Sequence, residues 1–508
     1  YVWLHGRGDK TTDLHFIDQR QNRTGRIAPA GAIVLHPFGR HCMGFKSAGE
    51  IDVLEATAHV IKNYPIDPDR VVLMGFSMGG AGAWHVGAHY TDQWVAVSPG
   101  AGFAETSQYN KMKPENYPPA HVQKLWGLYD VPGYVRNLFN IPVVAYSGEV
   151  DKQIQAARVM EKAYQDHGQK LPHIIGPKMG HKYHPDSLQE IMKRMAQAAE
   201  QGPAKLRQQV HLQTRTLRYS RMYWVQVTGL GQHWQDARVD AQLLDGGKKV
   251  QVKTSNVTEL ELSPAISIGQ ATVEIDGQQL KAPVTGNVAK SILLSKQQGK
   301  WSWLAERPQV ASLQKKPGLQ GPIDDVFYEP FLVVTPSKKS QHPLVQRWLE
   351  FELDHFKRRW RALYRGELRI KTDEEVTPAD FEDHHIVLWG DPGSNRWIKQ
   401  LGSGQQSLKV GNRKQSFRWN DQQLIWNGKK YAAGQHLPVL VYPNPWNPQK
   451  YVVLNSGPTH REGHDRTNSL QNPKLPDWAI VNLRQLPDGL LPGKIVANGF
   501  FDESWKLK

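Results

Sequence analysis

The sequence predicts an α/β protein in which a parallel sheet with helices is followed by a strand-rich region and a smaller α/β unit. Three observations support this fold class. Short apolar segments alternate with segments of helical periodicity up to about residue 200, which is typical of a parallel sheet covered by helices. After Gly202-Pro203 the pattern changes to closely spaced strands. The strand and helix alternation returns from residue 331 onward.

The first region contains six apolar segments that we predict as strands, at residues 1–4, 32–35, 71–74, 94–97, 142–146 and 173–175. Four segments with a repeat near 3.6 residues are predicted as helices, at residues 50–63, 80–89, 155–167 and 187–201. Parallel sheets place reactive groups at the carboxyl ends of their strands. Candidate site residues are therefore expected in the loops that follow the strands.

The strand-rich region is predicted to be a small antiparallel, sandwich-like domain with strands at residues 210–216, 222–228, 237–244, 250–254, 260–262 and 271–275. Turn signals such as Asp245-Gly246-Gly247 and Asp276-Gly277 separate these strands. The last region is predicted to have a helix at 342–364 and strands at 331–335, 367–371, 385–389, 437–441 and 451–454. The sequence therefore predicts three domains, 1–203, 204–312 and 313–508, and leaves the role of the last two open.

Composition excludes several classes of protein. The formal charge is +15, but the basic residues are dispersed without a run of five, so no dedicated nucleic-acid site is expected. The one cysteine, Cys42, excludes an internal disulfide. No apolar run approaches the ~20 residues of a membrane-spanning helix, so none is expected. Composition does not indicate an oligomeric state.

The most informative motif is Gly75-Phe76-Ser77-Met78-Gly79, which directly follows the apolar segment 71–74 and precedes a small-residue helix. A strand, a sharp turn carrying a serine and a helix are the context of a nucleophilic serine. Only glycine fits at the flanks of such a turn. A plain turn in which Ser77 caps the helix is the alternative interpretation. We predict that Ser77 is a nucleophile.

A serine hydroxyl needs an adjacent base that is held by a third group. The loop after the fifth predicted strand offers Glu149 and Asp151 as the acid. We favour Asp151, although an aspartate there could instead cap the following helix. The loop after the sixth strand offers His181, which we favour as the base, and His184. These two histidines and the nearby Asp186 could instead bind a metal, but at least one more ligand would be needed and none is evident, so no metal is expected.

Hydrolysis of an acyl group also needs backbone N–H groups that bind the oxyanion. The amide of Met78 follows the serine directly. The loop after the first strand, His5-Gly6-Arg7-Gly8, offers the amide of Arg7 or of Gly8 as the second donor. No cofactor is needed for this chemistry.

Four segments carry a resemblance to a known family: residues 5–8, 48–53, 66–71 and 75–80, which read HGRG, AGEIDV, IDPDRV and GFSMGG. They resemble α/β-hydrolases of the prolyl oligopeptidase-like superfamily, most closely the dienelactone hydrolase, polyhydroxybutyrate depolymerase and feruloyl esterase branches. The resemblance covers about residues 1–200 and implies a serine hydrolase with Ser77, Asp151 and His181 as its triad.

Two departures from that family pattern matter. The first strands of the family are not seen before Tyr1, so we expect them upstream of this sequence. Repeats of a seven-bladed propeller are not evident either, which makes a dedicated oligopeptidase less expected. The later regions resemble the tails of large exported bacterial hydrolases. We therefore expect a periplasmic or extracellular location, although no targeting segment is visible.

The expected function is hydrolysis of carboxylic esters through an acyl-enzyme, without metal or cofactor. The expected substrates are feruloyl or acetyl esters of polysaccharides, or short polyesters. A serine peptidase of the same superfamily is the first alternative. A non-catalytic carbohydrate-binding protein with a degenerate hydrolase fold is the second.

Overall fold

The computed structural model describes residues 1–204, 207–265, 271–281, 291–304, 313–403, 408 and 417–508. The chain divides into two compact units, Tyr1–Tyr117 with Trp126–Gln309 and Pro118–Leu125 with Val310–Lys508. The predicted domain boundary at residue 312 lies outside the described residues. The division into domains 1–203, 204–312 and 313–508 stays a prediction.

The first unit contains a parallel sheet, as predicted. As far as the chain is described, its five strands lie in the order β1 (Val2–Leu4), β2 (Val72–Phe76), β3 (Ala96–Gly100), β4 (Ala145–Gly148) and β5 (His173–Gly176). The helices of residues 1–204 are α1 (Asp13–Asn22), α2 (Ala48–Asn63), α3 (Met78–His89), α4 (Ala120–Trp126), α5 (Ile154–Gln165) and α6 (Pro185–Gln201). The prediction of an α/β fold is confirmed.

The register of the parallel sheet brings the carboxyl ends of its strands to one edge. Leu4 pairs with Gly75, Phe76 with Gly100 and Gly148 with Gly176. The apolar residues of β2 contribute to a fully buried core, in which Val72 and Met74 have no exposed surface. The loops that leave this edge therefore start from a rigid, buried base.

The predicted strand at residues 32–35 is wrong in extent. This segment forms a single parallel bridge between Val2 and Leu35, with hydrogen bonds of 2.8 Å from Trp3 N to Leu35 O and from Leu35 N to Tyr1 O. Pro37 follows two residues later and has no N–H to extend the pairing. The ladder therefore stops after one bridge.

The strand-rich region forms two sheets, as predicted. Within the described residues their orders are β13-β12-β10-β9-β6 and β15-β14-β11-β8-β7. The strands are β6 (Gln209–Thr214), β7 (Arg221–Met222), β8 (Val225–Leu230), β9 (Ala237–Leu244), β10 (Lys249–Ser255), β11 (Val257–Leu262), β12 (Thr272–Ile275), β13 (Gln278–Lys281), β14 (Ile292–Gln297) and β15 (Lys300–Leu304). Side chains from both sheets, such as Val239 and Leu260, share one core.

The prediction of a wholly antiparallel arrangement is wrong at one pair of strands. β10 and β12 are parallel, with Val250 opposite Val273. β11, which lies between them in the chain, belongs to the other sheet. The chain therefore crosses from one sheet to the other and returns in the same direction, which makes the pair parallel.

The second unit is also α/β. Its described strands form a sheet in the order β17-β16-β18-β23-β22-β24-β25 and a small sheet, β19-β20-β21. The strands are β16 (Phe331–Thr335), β17 (Ile370–Thr372), β18 (His385–Leu388), β19 (Phe417–Trp419), β20 (Gln423–Trp426), β21 (Lys429–Ala432), β22 (His436–Asn444), β23 (Asn447–Leu454), β24 (Trp478–Asn482) and β25 (Lys494–Gly499). The helices are α7 (Pro343–Tyr364), α8 (Pro378–Asp383) and α9 (Arg396–Ser403). None of the helices in the described ranges is long and apolar enough to cross a membrane.

A buried ion pair joins two distant segments of the second unit. Lys315 Nζ lies 2.7 Å from Asp477 Oδ2, and neither side chain has exposed surface.

We expect Lys315→Met to lower the free energy of unfolding by about 3–5 kcal/mol, because it removes the cation from a buried carboxylate. Urea unfolding of the full chain measures this loss. The neighbouring Lys316→Met is the control, since Lys316 contacts an exposed glutamine; an equal effect of both substitutions would contradict the argument.

Candidate active site

Ser77 lies in a tight turn between β2 and α3. Its backbone has φ 59° and ψ −119°, a conformation that is strained for a residue with a side chain. A Cβ atom on Gly75 would lie 2.1 Å from the carbonyl oxygen of Gly79, and one on Gly79 would lie 1.9 Å from that of Leu4. Both flanking positions therefore require glycine. This is the strained strand-to-helix turn that raises a serine hydroxyl above a parallel sheet.

A hydrogen-bonded chain runs from Ser77 to Asp151. Ser77 Oγ lies 2.8 Å from His181 Nε2, and His181 Nδ1 lies 2.8 Å from Asp151 Oδ2. The Asp151 side chain is 4% exposed and that of His181 is 38% exposed. With an ionised Asp151, the Nδ1 of His181 carries the proton and Nε2 accepts the serine O–H. The serine hydroxyl therefore has a base in place to take its proton.

The carboxyl group of Asp151 is held in its ionised form. Burial by itself raises its pKa, but hydrogen bonds from His181 and from the Gln153 amide outweigh burial, and the pKa lies below the usual value. The Gln153 N–H donates to Asp151 Oδ1 at 2.9 Å. The alternative in which Asp151 caps the following helix is wrong, because α5 begins at Ile154 with Gln153 as its N-cap residue and has no side-chain cap.

The two reserve candidates lie outside this chain of hydrogen bonds. The carboxylate of Glu149 accepts the Lys178 amide at 2.6 Å. His184 is the N-cap residue of α6, and its backbone N–H donates to the Tyr146 hydroxyl at 2.8 Å. Its ring atom Nδ1 is buried and has no hydrogen-bond partner among the described residues. The structure thus joins Asp151 and His181 to Ser77, and neither Glu149 nor His184.

The three candidate oxyanion donors are Met78, which follows Ser77 directly, and Arg7 and Gly8, in the loop after β1. Met78 is the first residue of α3, so its N–H has no carbonyl one turn earlier to bind. The loop after β1 runs past Ser77, since a Cβ atom on Gly6 would lie 3.7 Å from Ser77 Cβ. Arg7 and Gly8 follow in this loop, and the Gly8 backbone hydrogen bonds to the Cys42 thiol. That contact favours the Arg7 amide over the Gly8 amide as the second donor.

Beside this loop lies a recess with aromatic and cationic side chains. Its lining includes Arg7, Thr11, Phe16, Arg20 and Phe38. The Phe16 and Phe38 rings are 5.2 Å apart between centroids.

Sequence reasoning missed Tyr146, which organises the loop carrying His181. Its hydroxyl donates to the Lys182 carbonyl oxygen and accepts the His184 N–H, both at 2.8 Å. The two contacts fix the loop on the carboxyl side of the histidine. Nothing in the local sequence distinguishes this tyrosine from an ordinary core residue, because the contacts are made 36 and 38 residues away.

We expect Tyr146→Phe to lower kcat about tenfold with little change in KM, because losing two hydrogen bonds worth about 1 kcal/mol each loosens the histidine loop. Steady-state kinetics on an ester substrate measure the split. Tyr164→Phe is the matched control, since the buried Tyr164 hydroxyl has no hydrogen-bond partner in the described part of the chain. Equal losses in the two variants would show that Tyr146 does not position His181.

Residues 46–199 match the model of the prolyl oligopeptidase family. No curated protein sequence matches the chain. Similar solved structures include an inhibited esterase B from Lactobacillus rhamnosis, with 18% identity, 39% of this chain and 77% of that chain covered, and a TM-score of 0.31.

Two further solved structures are similar over the same share of this chain. A ferulic acid esterase has 17% identity, with 39% of this chain and 84% of that chain covered and a TM-score of 0.29. A puromycin-hydrolyzing peptidase from Mycobacterium tuberculosis has 14% identity, with 39% and 33% covered and a TM-score of 0.30. Identities this low do not transfer a substrate to the present chain. The match of residues 46–199 to the prolyl oligopeptidase family, the parallel sheet and the serine turn show an α/β-hydrolase domain in the first unit, and the protein is a serine hydrolase.

Proposed function

We propose that the protein hydrolyses carboxylic esters through an acyl-enzyme on Ser77, with His181 as general base and Asp151 as the residue that orients it. The observation that carries this proposal is the continuous pair of 2.8 Å contacts from Ser77 Oγ to His181 and from His181 to Asp151. A serine held this way is an activated nucleophile. Feruloyl or acetyl esters of polysaccharides, or short polyesters, are the proposed substrates.

The reaction begins when Ser77 Oγ attacks the ester carbonyl carbon and its proton passes to His181 Nε2. The amides of Met78 and of Arg7 or Gly8 bind the oxyanion that forms. The bond to the alcohol oxygen then breaks as Nε2 returns its proton to that oxygen. Water attacks the acyl carbon and gives a proton to Nε2. Nε2 passes that proton to Ser77 Oγ as the bond between Oγ and the acyl carbon breaks and the acid leaves. Asp151 stabilises the imidazolium in both halves of the reaction.

Two observations support an ester over a peptide. The strands that follow the parallel sheet, where described, form two stacked five-stranded sheets and no propeller. The recess next to Arg7 has a pair of phenylalanine rings, which suits an aromatic acyl group such as ferulate. The family match favours a serine peptidase as the second candidate.

Parallel assays separate the two candidates. We expect the full chain to hydrolyse p-nitrophenyl esters and a feruloylated oligosaccharide, and to leave peptide p-nitroanilides uncleaved. A fluorophosphonate probe should label the wild-type chain and leave Ser77→Ala unlabelled. Faster turnover of peptide amides than of esters would show that the protein is a peptidase and contradict the proposed esterase function. Absence of labelling on the wild-type chain would exclude both enzymes and favour a carbohydrate-binding protein.

A further inference from the structure

Three metal-ligating side chains meet in the interior of the first unit. Glu50 belongs to α2, and His85 and His89 belong to α3. These side chains are at most 2% exposed. Glu50 Oε2 lies 3.1 Å from His89 Nδ1 and 3.5 Å from His85 Nδ1. One potential ligand atom from each of the three residues lies within 4.8 Å of the other two, so one ion can contact all three residues.

The hydrogen bonding of His85 leaves one ring nitrogen without a partner. His85 Nε2 lies 2.9 Å from the Gly44 carbonyl oxygen, so this nitrogen carries a proton. In the neutral ring, Nδ1 then presents a lone pair to the Glu50 carboxylate. This atom is buried and has no hydrogen-bond partner among the described residues. A ring whose second nitrogen donates to a backbone carbonyl is the usual form of a metal-bound histidine.

The carboxylate is oriented by two tyrosines. Glu50 Oε1 accepts the Tyr90 hydroxyl at 2.8 Å and the Tyr219 hydroxyl at 3.0 Å. The Tyr219 hydroxyl also lies 3.3 Å from Oε2, the carboxylate oxygen that faces the two histidines. Zinc is commonly held by two histidines and one glutamate. In this cluster the tyrosines supply the outer contacts that fix the ligand oxygen.

The distances fit tetrahedral coordination. Zinc bonds of about 2.0–2.1 Å to nitrogen and oxygen place neighbouring ligand atoms about 3.3–3.5 Å apart. The distance from Glu50 Oε2 to His85 Nδ1, 3.5 Å, lies within this range, and the distance to His89 Nδ1, 3.1 Å, lies just below it. We propose that Glu50, His85 and His89 bind a structural zinc ion through Oε2 and the two Nδ1 atoms, with water or the Tyr219 hydroxyl as fourth ligand.

The position of this site indicates what the ion does. α3, which carries both histidines, begins directly after Ser77. The Tyr219 ring, from the strand-rich region, stacks on the His89 ring at 3.5 Å between centroids. An ion here ties α2 and α3 to each other and to Tyr219. Because the site is buried, it stabilises the unit and takes no part in the ester chemistry. The prediction that the protein binds no metal considered only His181 and His184 as ligands. The proposed zinc site replaces that prediction.

Metal analysis of the wild-type chain tests the proposal first. The full chain is incubated with zinc sulfate, desalted and measured by inductively coupled plasma mass spectrometry. We expect stoichiometric zinc. We also expect 1,10-phenanthroline to lower the Tm and added zinc to restore it, because a ligand that binds only the folded state stabilises it. Substoichiometric zinc, together with a Tm that changes neither with the chelator nor with added zinc, would overturn the proposal.

Substitutions locate the site. His85→Gln and His89→Gln should each abolish stoichiometric zinc and make the Tm insensitive to the chelator. His173→Gln is the matched control, because His173 Nδ1 lies 2.9 Å from the partly exposed Glu161, and this pair has no third ligand within the described ranges. Ser77→Ala should bind zinc like the wild type, which keeps this test independent of the proposed esterase. Full zinc content in His89→Gln would contradict the site, and the wild-type measurement decides if the variants do not fold.

Discussion

Ser77→Ala is expected to lower kcat for ester hydrolysis by about 10⁴–10⁶-fold, because it removes the atom that forms the acyl-enzyme. The fold should persist. Alanine at φ 59° is strained to the same degree as serine, and the backbone bond from Ser77 N to Gly100 O does not involve the side chain. Steady-state kinetics and circular dichroism on the purified full chain check both parts of this prediction.

A second serine supplies the matched control. Ser147 lies at the carboxyl end of β4, is fully buried, and its Oγ has no hydrogen-bond partner in the described ranges. Ser147→Ala should therefore retain turnover close to that of the wild type. Turnover by Ser77→Ala that matches Ser147→Ala would mean that the nucleophile lies elsewhere.

The sequence predicted the serine turn well because its determinants are local. Gly75 and Gly79 are required by contacts with the backbone of Gly79 and Leu4, and Ser77 lies between a strand and a helix that are both evident from composition. The parallel sheet was equally predictable, since its strands are short apolar segments separated by helical periodicity. The segment 32–35 had the same composition, but Pro37 limits it to one bridge.

For the acid and for the base, the sequence narrowed the candidates to two nearby residues but did not decide between them. Glu149 and Asp151 are two residues apart, and His181 and His184 are three apart. Which of them reaches Ser77 depends on how two loops pack at the sheet edge. Gly148 shows the tightness of that packing, since a Cβ atom there would lie 2.2 Å from the Gly180 carbonyl oxygen. Composition and spacing do not encode such contacts.

Two features of the structure, helix α1 and the cluster of Glu50, His85 and His89, were hard to predict from the sequence. Helix α1 has one buried side chain, Phe16, so it lacks the apolar stripe by which a helix is predicted. His85 and His89 stand four residues apart on a helix, a spacing that places them on one face. Their third partner, Glu50, lies 35 residues before His85 and joins them only through tertiary packing. The histidine spacing was the signal available, and alone it does not specify a site.

Asp151→Asn is expected to lower kcat by about 10³–10⁴-fold with a small effect on KM. The carboxylate accepts the proton of His181 Nδ1. An asparagine amide can donate to Nδ1 instead, which moves the ring proton to Nε2, and Nε2 can then no longer accept the proton of Ser77. The loss should therefore appear in the chemical step. Single-turnover kinetics of acyl-enzyme formation with a p-nitrophenyl ester measure it directly.

Glu149→Gln tests this assignment against the alternative acid. Glu149 has the same charge and lies in the same loop, but its carboxylate accepts the Lys178 amide, a contact that glutamine can keep through its amide oxygen. We expect Glu149→Gln to retain most of the wild-type kcat, while Asp151→Asn loses it. The opposite order of losses would assign the orienting role to Glu149. It would also require the loop after β4 to rearrange in solution, because Asp151 already occupies the position 2.8 Å from His181 Nδ1.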